Sequence, residues 1–254
     1  MERVDNAVAV SVRLFAAGPF VPGGSVSLDE DAAHHLRVRR IAPDHPVALH
    51  DGAGTIARGS LSELTKGRAV VRVDTLDRVP RLPGVHLMAP VGDRDRMLWL
   101  AEKATELGVT SWRAVRWRRS LSVGPRGEGD GFRAKVVARM RSALEQSGGA
   151  WLPDVLPELG PAEAAALVPG GGDGGRYLLT AGAPGMLGGA LRAPVTIVLG
   201  PEGGIADDEE ALFLQAGYRP VSVGPNVLRF ETAGVAALAL ARAGLDLAHQ
   251  ETIK

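Results

Sequence analysis

From Val12 to Val79 the apolar positions come in short alternating runs. Val26 and Leu28 lie in one such run, Pro46 to His50 (PVALH) reads as a strand, and Arg68 to Val73 (RAVVRV) reads as another. The turn residues Asp51-Gly52-Ala53-Gly54 separate the last two. One helix interrupts the strands. Asp29 or Asp31 can cap it and Ala32 to Arg40 forms its body. The pattern predicts a small β-rich barrel or sheet over residues 12–79, preceded by a loosely attached extension (1–11). The Pro-rich stretch Val79 to Gly84 then reads as a linker, placed at residues 80–84.

Beyond the linker, strand-like and helix-like segments alternate through residues 85–254. Val85 to Pro90 is a short apolar run. Asp95 to Leu107 has helical spacing (Met97, Leu98, Leu100, Ala101, Ala104, Leu107), with Gly108 where a C-cap belongs. Trp112 to Trp117 is strand-like, residues 120–131 form a Gly-rich loop, and Phe132 to Ser147 is a second helix ended by Gly148-Gly149. After a Gly-rich connection at 169–175 come strands at Tyr177 to Thr180, Val195 to Leu199 and Pro220 to Val223. Helices follow the last two, from Asp207/Asp208 to Gln215 and from Glu231 to His249. Such alternation predicts a mostly parallel α/β sheet covered by helices on both faces.

Composition narrows the class. The 254 residues are 45% hydrophobic and contain no Cys, which excludes a disulfide framework, a thiolate zinc site and a Cys nucleophile. No signal-peptide pattern and no long apolar stretch is visible, so the expectation is a soluble cytoplasmic protein. The net charge of zero hides an asymmetry. Positions 94–141 carry twelve Lys/Arg against five Asp/Glu, whereas 142–254 carry six against thirteen. The basic block could serve a polyanion, or simply be a solvated helix face.

The candidate chemistry sits at three strand ends. Leu199-Gly200-Pro201-Glu202-Gly203-Gly204 leaves an apolar strand through three glycines and enters an acid-rich helix. Glycines permit close backbone approach to a ligand, and ligands of open α/β folds bind at the carboxyl ends of strands. No P-loop or dinucleotide fingerprint is present. The acids at 207–210 would repel a phosphate, which favours a ligand such as a nucleoside bearing a sulfonium. The same loop would serve equally as a tight turn. Val223 to Ala233 (VGPNVLRFETA) repeats the theme, with Arg229 in the loop and Glu231 and Thr232 near a helix N-terminus. Arg229 could grip an anion or simply pair with Glu231. Leu178-Leu179-Thr180 ends the third strand.

Together these segments resemble the SPOUT methyltransferases, and more narrowly the RsmE family, which methylates N3 of a uridine in 16S ribosomal RNA. Asp95-Arg96-Met97 with Glu102 to Val109 resembles that family's DRM…EKATELGV block. Ala143 to Gly148 resembles its A-x-EQSG block, and His34 to Arg39 its HH-x-x-VLR block. The resemblance runs from about Arg13 to the C-terminus.

It implies an N-terminal PUA-like RNA-binding β-barrel and a C-terminal α/β domain with a trefoil knot. It also implies S-adenosyl-L-methionine as cofactor, 16S rRNA of the small ribosomal subunit as partner, a homodimer and no metal. The cofactor pocket would use Leu178, Leu179, Thr180, Leu199, Gly200, Glu202, Gly203, Gly204, Val223, Gly224, Asn226, Val227, Leu228, Thr232 and Ala233. Arg229, then Glu231, would be catalytic. RNA would meet His34, His35, Arg37, Arg39 and Arg40. It would also meet Arg94, Arg96, Arg113, Arg116, Arg118 and Arg119 of the basic block, with Glu145 and Gln146 orienting the base. Trp112 and Trp117 could stack on bases or pack in the core.

Three departures stand out. Gly149-Ala150-Trp151 follows EQSG where the family has Arg. Pro225-Asn226-Val227 fills the middle of the last loop, and Lys135-Val136 replaces a basic residue and Trp. Alternatives are another SPOUT enzyme acting on a ribose 2′-OH or on tRNA, and a non-catalytic ribosome-assembly protein.

Overall fold

The computed structural model describes residues 12–120, 129–167, 169–171, 173–183, 185 and 187–252, with side chains described as far as residue 246. The expected extension at 1–11 and residues 121–128 of the expected loop lie outside the described residues. The chain divides into two compact units. One takes the residues up to Arg81 together with Leu144–Leu152, and the other takes Leu82–Ala143 and the chain from Pro153 onward.

The first unit holds β1 (Val12–Phe15), β2 (Ser25–Leu28), α1 (Glu30–Val38), β3 (Pro46–His50), β4 (Thr55–Leu64) and β5 (Ala69–Arg78). Its strands order β1-β3-β4-β5-β2, with β1 parallel to β3 and the other pairs antiparallel. Asp29 caps α1, its carboxylate accepting the Ala32 N–H at 3.0 Å. Ala33 and Leu36, one turn apart, carry the helix into a core of Leu14, Val47, Leu49, Leu61 and Val71. The ten-residue strand β4 was not anticipated, because Gly59 and polar residues interrupt its alternation. Gly59 is what the strand needs there. It sits at a β-bulge, and a Cβ would lie 1.8 Å from the Arg72 carbonyl oxygen.

Gly149-Ala150-Trp151 finds its physical reason in this unit. The His50 Nδ1–H donates to the Gly149 carbonyl at 2.7 Å, and the Gly54 N–H to the Ala150 carbonyl at 2.9 Å. The Trp151 indole N–H donates to the Val79 carbonyl at 2.9 Å, and its ring closes over Gly54, where a Cβ would come within 2.4 Å. The Arg81 guanidinium also stacks on this ring, its carbon 5.0 Å from the Trp151 ring centre. The segment is an aromatic strap on the β3–β4 turn.

The second unit is a six-stranded, all-parallel sheet in the order β11-β9-β10-β6-β7-β8. Its strands are β6 (Val85–Pro90), β7 (Ser111–Val115), β8 (Asp154–Leu159), β9 (Gly175–Leu179), β10 (Val195–Leu199) and β11 (Arg219–Val221). The helices are α2 (Arg94–Glu106), α3 (Gly129–Ser147, whose last turn counts with the first unit), α4 (Pro161–Ala166), α5 (Asp207–Gln215) and α6 (Phe230–Thr252). Every residue of β6 and β10 is buried, as central parallel strands require. Met88, Leu178 and Val198 face Phe213 of α5 and Ala164 of α4, while α2 and α6 pack on the other side.

Parallel β9 and β10 are joined by residues 180–194, and none of the described residues among them is helical. That connection runs against chain from far downstream. The Ser222 N–H donates to the Gly185 carbonyl at 2.8 Å, Leu187 N–H to the Ser222 carbonyl at 2.9 Å, and Leu191 N–H to the Gly244 carbonyl at 3.0 Å. This is the kind of crossing that the expected knot requires.

Candidate active site

The site grows from the carboxyl ends of β9, β10 and β11, which lie side by side. Their last residues, Leu179, Leu199 and Val221, line a cavity of about 440 Å³, within the range of pre-formed small-molecule sites. The loop after β10 supplies Gly200, Pro201, Glu202, Gly204 and Ile205. It turns tightly: the Gly204 N–H donates to the Pro201 carbonyl at 2.9 Å and Gly204 has φ +76°, a left-handed conformation that favours glycine. A Cβ on Gly200 would lie 2.7 Å from the Ile205 side chain. The third wall is Val223, Gly224, Asn226, Val227, Leu228, Arg229, Phe230 and Ala233.

Aromatic packing holds the floor. The Trp117 indole N–H donates to the Leu199 carbonyl at 3.1 Å, at the end of β10. Its ring packs on Phe213 of α5, centroids 5.2 Å apart, and Phe213 meets Tyr218 edge-on at 5.1 Å. Trp112 and Trp117 are both 2% exposed, so the stacking role open to them in sequence gives way to packing. Burial pushes the Tyr218 phenol up to about 12, which keeps this core neutral.

The lining includes two carboxylates, Glu202 and Glu210, and one cation, Arg229. Thr180 Oγ1 is buried at the cavity wall with no hydrogen-bond partner among the described residues. A mostly apolar pocket with glycine backbone, a spare hydroxyl and an acidic bias fits a nucleoside ligand that carries positive charge.

Most sequence-derived pocket residues meet here, with three exceptions. Leu178 points into the core, fully buried, because strand alternation sends it away from Leu179. Gly203 lies against the Arg119 backbone, where a Cβ would stand 2.8 Å from the carbonyl oxygen. Thr232 is exposed on α6. Ala181, Ser222 and Glu210 line the cavity without having been anticipated. Glu210 looked like ordinary N-terminal helix charge, and only the tertiary fold turns it inward.

The two expected catalytic residues diverge. Arg229 is exposed and lines the cavity. Glu231, 13% exposed, faces Arg96 at 3.8 Å rather than pairing with Arg229, and its Oε2 is buried without a hydrogen-bond partner among the described residues. Glu145 belongs to the first unit, where its carboxylate accepts the Phe15 N–H at 2.7 Å and pins β1. Gln146 is exposed beside it, its carbonyl accepting from Arg13 at 3.4 Å.

The basic block is largely answered inside its own unit. Arg94 pairs with Asp95 at 3.3 Å and Arg116 with Glu158 at 2.6 Å. Arg118 grips Asp208 with both terminal nitrogens, which holds the Asp208 carboxyl below its ordinary range. Arg113 donates to the Pro157 carbonyl at 2.5 Å, and Arg119 lies 3.5 Å from the Ile205 carbonyl. The twelve cations of the block and the six after it meet eighteen acids over the same span. His34, His35, Arg37, Arg39 and Arg40 are different. All are exposed on or just past α1, and none has an ion-pair partner among the described residues.

The sequence matches an RNA methyltransferase domain model over residues 80–242 and an RNA methyltransferase PUA domain model over residues 28–74. The chain belongs to the RNA methyltransferase family that these models describe. A ribosomal RNA small subunit methyltransferase E of Mycobacterium bovis is 31% identical over 222 residues, covering 82% of each chain. The protein of that name from Synechocystis is 28% identical over 252 residues, covering 96% of this chain and 82% of its own. Among solved structures, a ribosomal RNA small subunit methyltransferase E from Neisseria gonorrhoeae bound to S-adenosyl methionine superposes with a TM-score of 0.82. It is 28% identical and is covered to 97%, against 91% of this chain. The family therefore accounts for both units, the PUA model falling in the first and nearly all of the methyltransferase model in the second.

Proposed function

We propose that this methyltransferase transfers a methyl group from S-adenosyl-L-methionine to N3 of a uridine in 16S rRNA of the small ribosomal subunit, working as a cytoplasmic homodimer. The observation that carries the reading is the cavity at three adjacent strand ends, walled by the LGPEGG and VGPNVLRFETA loops, in a chain of the RNA methyltransferase family.

The cofactor, when bound, supplies a methyl carbon on a positive sulfur, and the sulfur leaves as a neutral thioether. Leu179, Leu199 and Leu228 of the lining would give its adenine an apolar seat, and the backbone of Gly200, Gly204 and Gly224 would offer polar partners to its edge. Thr180 Oγ1 has hydrogen-bonding capacity to spare. Glu202 and Glu210 favour a ligand with a positive centre. The uridine must lose its N3 proton to water, which spreads negative charge onto the uracil oxygens, and the exposed Arg229 of the lining would stabilise that charge. Positioning of N3 in line with the methyl–sulfur bond supplies much of the rate. The exposed cations of α1 bind the RNA backbone.

Mass spectrometry of 16S rRNA nucleosides from a strain lacking this protein tests the reading. Loss of one 3-methyluridine, restored by the wild-type chain, is expected. An unchanged 3-methyluridine content with loss of a ribose-methylated or tRNA nucleoside would move the activity to another RNA target.

A further inference from the structure

Within the basic block, Arg96 is set apart by the residues it touches. It stands in the first turn of α2, with Nη1 4.0 Å from Glu202 Oε1 and Nε 3.8 Å from Glu231 Oε1. Glu202 belongs to the loop after β10 and lines the cavity, while Glu231 opens α6 directly after Phe230, another lining residue. Gly92, just before α2, leaves room at this meeting point. A Cβ there would lie 3.2 Å from the Phe230 ring and 3.4 Å from Glu202 Oε2. Two segments distant in sequence therefore converge on one guanidinium. Both acids are largely buried, at 24% and 13% exposure. Among the described residues Arg96 is the cation paired with either of them. Two carboxylates this close to one point repel each other unless a positive charge stands between them.

We propose that Arg96 is a positioning residue of the cofactor pocket rather than an RNA contact. Its guanidinium clamps Glu202 and Glu231, and so fixes the spacing between the loop after β10 and the N-terminus of α6, two of the three walls of the cavity. Different nitrogens of one planar fork address the two acids, a task a point-charge ammonium performs less well. The inference rests on the methyltransferase reading of the pocket.

The test is calorimetric titration of S-adenosylmethionine into the full-length wild type, R96Q and R96K without RNA. Binding of a short uridine-containing single-stranded RNA over a range of salt and thermal unfolding are measured alongside. R96Q should weaken cofactor binding about tenfold, R96K should recover part of the loss, and R96Q should cost much less in an E202Q background, since coupled partners are not additive. RNA affinity and its salt slope should stay at wild-type values. Unchanged cofactor affinity with weaker RNA binding and a shallower salt slope would make Arg96 a phosphate contact and overturn the proposal. So would equal losses in R96Q and R96K that track a lower unfolding temperature and do not couple to Glu202. A wild type that binds no S-adenosylmethionine sinks the proposed function itself, a result distinct from either.

Discussion

Arg229 and Glu210 line the same cavity with opposite charges, and they should fail differently. Arg229→Ala removes a cation from the rim where the uracil oxygens would gain charge. Turnover should fall about a hundredfold, typical for the loss of one stabilising donor, while cofactor affinity stays within about threefold. Single-turnover kinetics with calorimetry reads both, and equal losses would assign Arg229 to shaping the loop instead. Glu210 has no ion-pair partner among the described residues, so its charge is available to a ligand. Glu210→Gln should weaken S-adenosylmethionine about fivefold, the scale of a partly solvated charge interaction, and weaken the uncharged product S-adenosylhomocysteine much less. An unchanged ratio of the two affinities would remove Glu210 from charge recognition. Of the pair, only Arg229 was legible in the sequence, because a loop Arg beside glycines is a local signal. Glu210 sits in a run of four acids, and nothing local marks which of them the sheet turns toward the cavity. Glu231 itself was marked by its place at a helix N-terminus, but its partner was not, since it pairs with Arg96 across more than a hundred residues of sequence.

At the scale of elements, the catalytic half was the easier to read. The apolar run at β10 and the helix α5 end where the pattern placed them, since a fully buried strand and a helix opened by a run of acids carry strong local signals. The hairpin β4–β5 hid its first strand because its interior Gly serves a bulge rather than the period-two pattern. The strap at 149–151 hid as well, its meaning lying in a turn a hundred residues upstream. That strap carries a pH dependence. Burial is the main cause holding the His50 imidazole below its ordinary 6.5, offset in part by the hydrogen bond to the Gly149 carbonyl, and its Nε2 is buried without a partner among the described residues. The native state keeps His50 neutral, so as pH falls through 6.5 the unfolded chain binds a proton that the folded chain resists. Stability of the first unit is full above that value and declines below it. Thermal unfolding between about pH 7.5 and 5.5, the range in which a histidine changes charge, should show this decline in the wild type. His50→Gln should be less stable at neutral pH and flatter across the range. An equally steep decline in the variant would place the titration elsewhere.

For the whole molecule, the two groups of cations expected to meet RNA are not equivalent. Arg116 and Arg118 are committed to Glu158 and Asp208, and a phosphate that recruits them must first compete with a carboxylate already in place. Arg37, Arg39 and Arg40 stand exposed with no such competitor among the described residues. Each Lys or Arg that neutralises a phosphate releases condensed counterions, which sets the salt dependence of binding at roughly 0.7 to 0.9 log units of affinity per log unit of salt per contact. Replacing Arg37, Arg39 and Arg40 with Gln together should therefore weaken RNA binding strongly at low salt and flatten the log–log slope by about two. Affinity for S-adenosylmethionine should be untouched. Replacing Arg116 and Arg118 in the same way should change the slope by less than one, and should lower thermal stability only slightly, because the Arg118–Asp208 pair is exposed on both sides and Arg116 of the other pair is itself in contact with solvent. A salt titration of RNA binding on the two variants decides the matter. If the Arg116/Arg118 variant shows the larger change in slope, the acids of the second unit release their cations on contact with RNA, and the basic block rather than α1 carries the docking surface.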